Sequence, residues 1–406
     1  MQNKIRNIFI IFLTIFSFLF AVKYLINNRK LKLLNEIYFK SPFLLSTKGI
    51  CNDYQRLIEK SLNPSFSASI INDKGKIIAS YNGSKLRIPA SNLKLFSTAY
   101  TLSFLDVSDS LDTSIFKDNL NNYYLIGSGD PDLSIEDLEQ LLNKINFENN
   151  INFYVLEVNK KNQWPKGWIE ADKIYTYGSP ITTLAIKSNE NKSIDINFVK
   201  NIINNFLKYN NPSISYDLSI LEYNGNYIKK LKRINSIKSS PILSLITLAN
   251  SESHNFTAES IYKNASKSWN FNDYKKIKGW LRRKGFPIRE ITINDASGLS
   301  RENRLTTNLT ALFLHKMRYS KQFDFYNSSL SLMGKRGTLS NRMINTEVAG
   351  NFFGKTGTLS NVFALSGYLY KDNEILSISI IQNNTFIDKN KPFNLLDEIY
   401  KLEKCY

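Results

Sequence analysis

A serine hydroxyl is a poor nucleophile until a base within hydrogen-bond distance takes its proton. Ser91-Asn92-Leu93-Lys94 offers such a pair. Positions i and i+3 of a helix share a face, and a lysine can act as the base where burial and neighbouring positive charge lower its pKa. The pattern alone is not selective. Ser114-Ile115-Phe116-Lys117 and Ser260-Ile261-Tyr262-Lys263 match it too, and any one of them alone reads as a serine and lysine on a helix surface. Context separates the first: Pro89 and a strand hairpin precede it, which puts Ser91 at a helix N-terminus, where backbone N–H groups stabilise negative charge. Lys355-Thr356-Gly357 is the chain's single Lys-Thr-Gly and opens a strand hairpin. A strand edge can hydrogen-bond a peptide lengthwise. Lys355 would supply charge for a carboxylate, and Gly357 would let a ligand backbone approach closely. Ser253-His254-Asn255 is a Ser-x-Asn, a tripeptide pattern that recurs at Ser61, Ser80 and Ser268 and carries little by itself.

The elements that must hold these residues are legible in outline. Phe66–Asn72 and Lys76–Tyr81 read as strands about the turn Asp73-Lys74-Gly75. A helix is expected over 92–105, started by Pro89. Between about 106 and 240, short apolar runs alternate with Asn, Asp, Ser, Gly and Pro clusters, which suggests a smaller strand-rich unit. Helical periodicity returns at 243–248, 258–263 and 306–317. Strands are expected at 354–359, 362–369 and 375–381, then a helix over about 393–404. Strands at both ends and helices between predict an α+β domain whose antiparallel sheet is completed by the two termini. Gly334-Lys335-Arg336-Gly337-Thr338-Leu339-Ser340-Asn341 nearly repeats Gly354-Lys355-Thr356-Gly357-Thr358-Leu359-Ser360-Asn361. The second copy alone is read as a site strand, and two copies do not make a solenoid.

Composition narrows the classes. The 406 residues, 42% hydrophobic, are enough for one large domain or two ordinary ones. Two cysteines and two histidines argue against a disulfide-built scaffold, a cysteine zinc site and a Ser-His-Asp triad. Of 53 Lys+Arg against 35 Asp+Glu, giving +18, none form an Arg-rich cluster with interleaved aromatics, so no nucleic-acid partner is expected. His254, between two candidate site residues, should point away from both, and His315 reads as a helix-face residue. Lys4 and Arg6 precede an apolar run, Ile8–Val22, that continues past Lys23 to Ile26. This is about the length that spans a bilayer, roughly 20 residues. An uncleaved anchor is favoured, with a cleaved signal peptide as the alternative; either places the rest of the chain outside the cytoplasmic membrane or in a periplasm.

Together the motifs come in the order Ser-x-x-Lys, Ser-x-Asn, Lys-Thr-Gly, the set found in penicillin-binding proteins and serine β-lactamases. The sequence resembles the D-alanyl-D-alanine carboxypeptidase/endopeptidase family of low-molecular-mass, class C type penicillin-binding proteins. The resemblance rests on Pro89-Ala90-Ser91-Asn92-Leu93-Lys94-Leu95, Gly127-Ser128-Gly129-Asp130-Pro131 and Tyr177-Gly178-Ser179-Pro180. It continues through Ser253-His254-Asn255-Phe256-Thr257-Ala258-Glu259, Asp295-Ala296-Ser297-Gly298-Leu299-Ser300-Arg301 and Gly354-Lys355-Thr356-Gly357-Thr358-Leu359. His254 departs from a position where an acidic or amide residue is frequent, and Ala296 from one where glycine is.

The resemblance implies a β-lactamase/transpeptidase-like catalytic domain at 31–105 and 241–406, following a signal-anchor or signal peptide at 1–30. The spacing from Ser91 to Ser253 fits one inserted domain, at 106–240. It implies acyl transfer through a serine ester, with no metal or cofactor. Lys94 would take the proton of Ser91, whose N–H would form an oxyanion hole with that of Thr358. Ser253 would relay a proton to the leaving D-alanine, and Asn255 would hold the substrate amide and order Lys94. Lys355, Thr356 and Thr358 would bind the terminal carboxylate. The implied partners are peptidoglycan D-Ala-D-Ala peptides, β-lactam antibiotics as covalent inhibitors, and a membrane through the N-terminal segment. A serine β-lactamase shares the three motifs but would need a deacylating glutamate, which cannot be placed. A catalytically silent peptidoglycan-binding envelope protein would not need Ser91, Lys94 and Lys355 intact. Cys51 and Cys405, at the start of one terminal helix and the end of another, are expected to form a disulfide in an oxidising compartment.

Overall fold

The computed structural model describes residues 50–404 apart from 192, 194 and 224–230. The expected membrane-directed segment and Cys405 lie outside the described residues. Among the described residues no helix is long and apolar enough to cross a membrane.

Helix α1 (Asn52–Ser61) leads into the hairpin of β1 (Phe66–Ile71) and β2 (Ile77–Tyr81). Gly75 turns it at φ +80, with its N–H on the Asn72 carbonyl. Helix α2 (Lys94–Leu102) follows. The chain then departs through β3 (Ser110–Lys117), β4 (Asn122–Ile126), α3 (Ile135–Asn143), β5 (Ile151–Glu157), α4 (Ile196–Asn210), β6 (Tyr216–Glu222) and β7 (Lys232–Pro241). It returns through α5 (Ile242–Ser251), α6 (Asn255–Ser266), α7 (Lys275–Arg283) and α8 (Thr307–Met317). It ends with β8 (Ser331–Leu332), β9 (Phe352–Leu359), β10 (Val362–Lys371), β11 (Glu374–Asn383) and α9 (Lys391–Lys401).

The principal sheet has the order β2-β1-β11-β10-β9-β8, antiparallel throughout. The first and last strands of the described residues therefore meet where β1 pairs with β11, Ala68 opposite Ile380. The sheet is covered on both faces, so its central strands are almost wholly buried rather than alternating. On one face Ala68, Ile70, Ile378 and Ile380 pack with Tyr54 and Ile58 of α1 and Leu396 and Ile399 of α9. The other face carries small hydroxyls. Ser69 Oγ lies 2.8 Å from Thr307 Oγ1 of α8, and Ser366 Oγ donates to Ser379 Oγ at 2.8 Å. Small side chains there let α8 and the turn Ala90–Leu93 before α2 approach closely, with Asn92 Nδ2 donating to Ser366 Oγ at 2.7 Å. Behind them Leu95, Phe96, Leu245, Ile261, Leu281 and Phe313 make the helical core.

The second sheet, order β6-β5-β4-β3-β7, is built from the stretch read as strand-rich, with helices between its strands that were not expected. Strands β4, β5 and β6 run parallel. Parallel neighbours need crossovers, and α3 and α4 supply them, packing Leu138, Leu141, Val199 and Ile203 against Phe153 and Val155. The polar residues that read as loops are partly caps. Ser134 and Asp137 form a reciprocal capping box at the start of α3, and Asp195 caps α4.

Candidate active site

The Ser91 loop is a tight 3-10 turn, Ala90–Leu93, and α2 begins only at Lys94. The expected helix start at Asn92 is two residues early. The i to i+3 adjacency survives because a 3-10 turn brings i and i+3 into line. Ala90 is left-handed at φ +48. Two glycines make room for it. A Cβ on Gly298 (φ +86) would come within 2.0 Å of the Ala90 carbonyl oxygen, and one on Gly357 within 2.9 Å of the Pro89 carbonyl oxygen and 3.0 Å of Ser91 N. This corrects the reading of Gly357: the space its missing side chain leaves is filled by the Ser91 loop, not kept open for a ligand backbone.

Lys94 is fully buried behind Ser91. Its Nζ lies 3.1 Å from Ser91 Oγ, 2.6 Å from Asn255 Oδ1 and 2.7 Å from the Ser297 carbonyl oxygen. A neutral amine has two N–H bonds and one lone pair. Directing the N–H bonds at the two amide-type oxygens, which only accept, turns the lone pair towards the Ser91 hydroxyl.

Ser91 opens onto a cleft of about 460 Å³ lined also by Ser253, Asn255, Thr356 and Thr358. Ser253 sits at φ +65 between α5 and α6. The β8–β9 ladder spans only Phe353 and Gly354, so Lys355–Leu359 is the sheet's edge along the cleft. Lys355 is fully buried beneath it, its Nζ donating to the Thr356 carbonyl at 3.0 Å. The other serine–lysine pairs are elsewhere. Ser114 lies within β3, paired to β4 and β7, and Lys117 bonds Glu148. Ser260 donates to the Gly129 carbonyl. His254 caps α6, its Nδ1 2.7 Å from Thr257 Oγ1, and its Nε2 lies 3.5 Å from Glu190, as its position between Ser253 and Asn255 requires.

The D-Ala-D-Ala carboxypeptidase 3 (S13) family model matches residues 55–200 and 197–405. The chain belongs to this family. It is a serine-type D-Ala-D-Ala carboxypeptidase. The D-alanyl-D-alanine carboxypeptidase of Actinomadura sp. (strain R39) is 22% identical over 450 residues, covering 84% of this chain and 83% of the relative. Penicillin binding protein 4 of Haemophilus influenzae superposes with a TM-score of 0.70 at 20% identity, over 86% of this chain and 99% of that one. Bd3459, a peptidoglycan endopeptidase of Bdellovibrio bacteriovorus, does so at 0.51 and 14% identity, over 84% and 94%. The fold is that of the penicillin-binding proteins.

Electrostatics in this S13 enzyme suit a basic amine. Burial lowers the Lys94 pKa to about 7, against the opposing pull of the Asp295 and Glu259 carboxylates. Burial, with Lys94 nearby, also holds the Lys355 ammonium well below its ordinary value. The cleft wall holds residues to which sequence reasoning gave no role. Arg301 Nη2 lies 2.9 Å from Asp172 Oδ2, and Tyr177 OH donates to Asp172 Oδ1 at 3.2 Å. The Tyr177 carbonyl accepts from Asn255 Nδ2 at 2.8 Å, leaving Asn255 Oδ1 aimed at Lys94. Tyr177 and Arg301 sit in stretches that carry the family resemblance; nothing in the sequence marks Asp172. The first copy of the internal echo also contributes. It forms a turn rather than a strand, and its Thr338 Oγ1 accepts from Thr356 Oγ1 at 2.8 Å at the cleft.

Proposed function

We propose that the enzyme removes the terminal D-alanine of peptidoglycan stem peptides through an acyl-enzyme on Ser91. The observation that carries this reading is the fully buried Lys94 amine with its Nζ 3.1 Å from Ser91 Oγ. Lys94 accepts the Ser91 proton as Oγ bonds to the penultimate D-alanine carbonyl. The Ser91 and Thr358 N–H groups stabilise the oxyanion. The C–N bond breaks as the leaving amine gains a proton, relayed from Lys94 through Ser253, and water hydrolyses the ester. Asn255 holds the substrate amide and orders Lys94. Lys355, Thr356 and Thr358 take the terminal carboxylate, and the Asp172–Arg301 pair gives the cleft wall a charged face for the rest of the peptide.

β-Lactams would acylate Ser91 by the same route. Supporting this, a Haemophilus penicillin binding protein 4 structure carries a β-lactam, and a Dictyostelium discoideum relative, 33% identical over 122 residues, is a penicillin-sensitive carboxypeptidase. We place the catalytic domain at 31–105 and 241–406, with 106–240 inserted. We place the chain outside the cytoplasmic membrane, held by residues 1–30 if these are not cleaved. The disulfide at Cys51 fits that oxidising setting.

Digestion of purified peptidoglycan, with product masses read out, tests the reading. Loss of terminal D-alanine from pentapeptide stems is expected. Separation of cross-linked stems alone would make the enzyme an endopeptidase, and intact peptidoglycan would refute the proposal.

A further inference from the structure

Lys94 is oriented by the Ser297 carbonyl, and something must fix that carbonyl. It lies in the turn Asp295–Ser300, buried without side-chain exposure at Asp295 and Ser297. Asp295 holds one part: its Oδ1 accepts from Gly298 N at 3.0 Å and its Oδ2 from Ser300 N at 2.7 Å and Trp168 Nε1 at 2.9 Å. The other part is held by a side chain that the mechanism does not use. Glu259, fully buried on α6, accepts at Oε1 from Ala296 N at 2.9 Å and Ser297 N at 2.8 Å, and at Oε2 from Tyr274 OH at 2.6 Å.

We propose that Glu259 is a positioning residue for the base: its carboxylate fixes the Ala296–Ser297 amides, so that the Ser297 carbonyl meets Lys94, and its charge faces the amine through that turn. α6 thus serves the site twice, with Asn255 at its start bonding Lys94 directly and Glu259, one turn further along, bonding it through the Ser297 turn. The charges around Glu259 come from several elements. Asp295 faces it from the turn, Lys263 from its own helix, Tyr274 and Asp273 from the segment before α7, and Lys94 from α2. Burial, then Asp295, pushes the Glu259 carboxyl up to about 7, while Glu259 pulls the Lys94 pKa upward. The carboxylate therefore gains its charge over the same pH range in which Lys94 gives up its proton.

This rests on Lys94 being the base, which is tested separately: acylation surviving in Lys94→Ala defeats that reading, whereas a dead Lys94→Ala with ordinary Glu259 variants defeats only the present inference. The experiment is the pH dependence of acylation by a fluorescent penicillin, with the thermal midpoint of each variant as the check on folding. Glu259→Gln keeps an oxygen for both amides and an N–H for the Tyr274 hydroxyl, but removes the charge. Its acid limb should move to lower pH by roughly half a unit or more, as loss of a nearby opposite charge requires. An unmoved limb in the folded variant overturns the proposal. Glu259→Asp keeps the charge but withdraws it from the two amides. Leaving a buried amide unpaired should slow acylation about five- to hundredfold, with the limb still near the wild-type pH. A wild-type rate there also overturns it. If Glu259→Gln does not fold, Glu259→Asp decides alone.

Discussion

Ser91 and Lys94 are separated by three positions in sequence and 3.1 Å in space, and that pair was readable because helical and 3-10 geometry both bring i and i+3 together. Asp172, Tyr177 and Thr338 were not readable in the same way. Asp172 lies on a one-turn helix, Glu170–Lys173, and Tyr177 and Thr338 on 3-10 turns, and the path of these segments depends on tertiary contacts such as Trp168 bonding Asp295. Lys94 gives a pH prediction with a definite sign. Only the neutral amine can take the Ser91 proton, and its pKa is lowered to about 7. Acylation should fall about tenfold per pH unit below that value and level off above it, as stopped-flow rates with a β-lactam will show. A rate independent of pH between 5 and 8 would remove Lys94 as the base. The echo gives a second test. Lys355 is buried at the cleft edge, whereas Lys335 is exposed. Lys355→Ala should weaken acylation by carboxylate-bearing substrates roughly ten- to hundredfold, the loss of a charge-assisted hydrogen bond of about 1.5–3 kcal/mol. Lys335→Ala should be nearly silent. Equal defects would mean that the first copy supplies the charge.

At the scale of elements, the hairpins β1–β2 and β10–β11 were legible because Asp73-Lys74-Gly75 and Lys371-Asp372-Asn373 break apolar runs at strand spacing. The α3 and α4 crossovers were not: Ile196–Asn210 carries an apolar stripe at helical spacing, Val199, Ile203, Phe206 and Leu207, but asparagines of low helix propensity interleave it and make it read as loop. The placing of Ser91 depends on two elements closing around its turn, and Gly298 is the tightest contact between them. Gly298→Ala would add a Cβ 2.0 Å from the Ala90 carbonyl oxygen at a left-handed φ of +86. The loop must shift, which misplaces the Ser91 N–H and Oγ together. Penicillin acylation should fall at least about tenfold, since loss of one oxyanion donor alone costs about a hundredfold or more. A wild-type acylation rate would show that the turn tolerates displacement.

The described part of the chain closes on itself. Its first and last strands pair in one sheet at β1–β11, and α1 packs with α9 on its outer face. Cys51, at the start of α1, is in a disulfide, and the sequence holds one other cysteine, Cys405, outside the described residues. A cross-link between chain ends removes the most entropy from the unfolded state, about 4–5 kcal/mol for a loop of several hundred residues in the chain-entropy model and often less in practice. Cys51→Ser should therefore lower the thermal midpoint clearly while leaving penicillin labelling at 25 °C intact, because α1 packs on β2 and α9 and contributes no residue to the cleft lining among the described residues. An unchanged midpoint would mean that the sheet and the α1–α9 packing already hold the ends together.

The central claim is an acyl-enzyme on Ser91. Incubation of the purified protein with a penicillin, followed by intact-mass and peptide mapping, tests it most directly. The expected result is one added penicilloyl group on the peptide containing Ser91, absent from Ser91→Ala and retained in Ser114→Ala and Ser260→Ala. A penicilloyl group persisting in Ser91→Ala, or mapping to any other serine, would contradict the account.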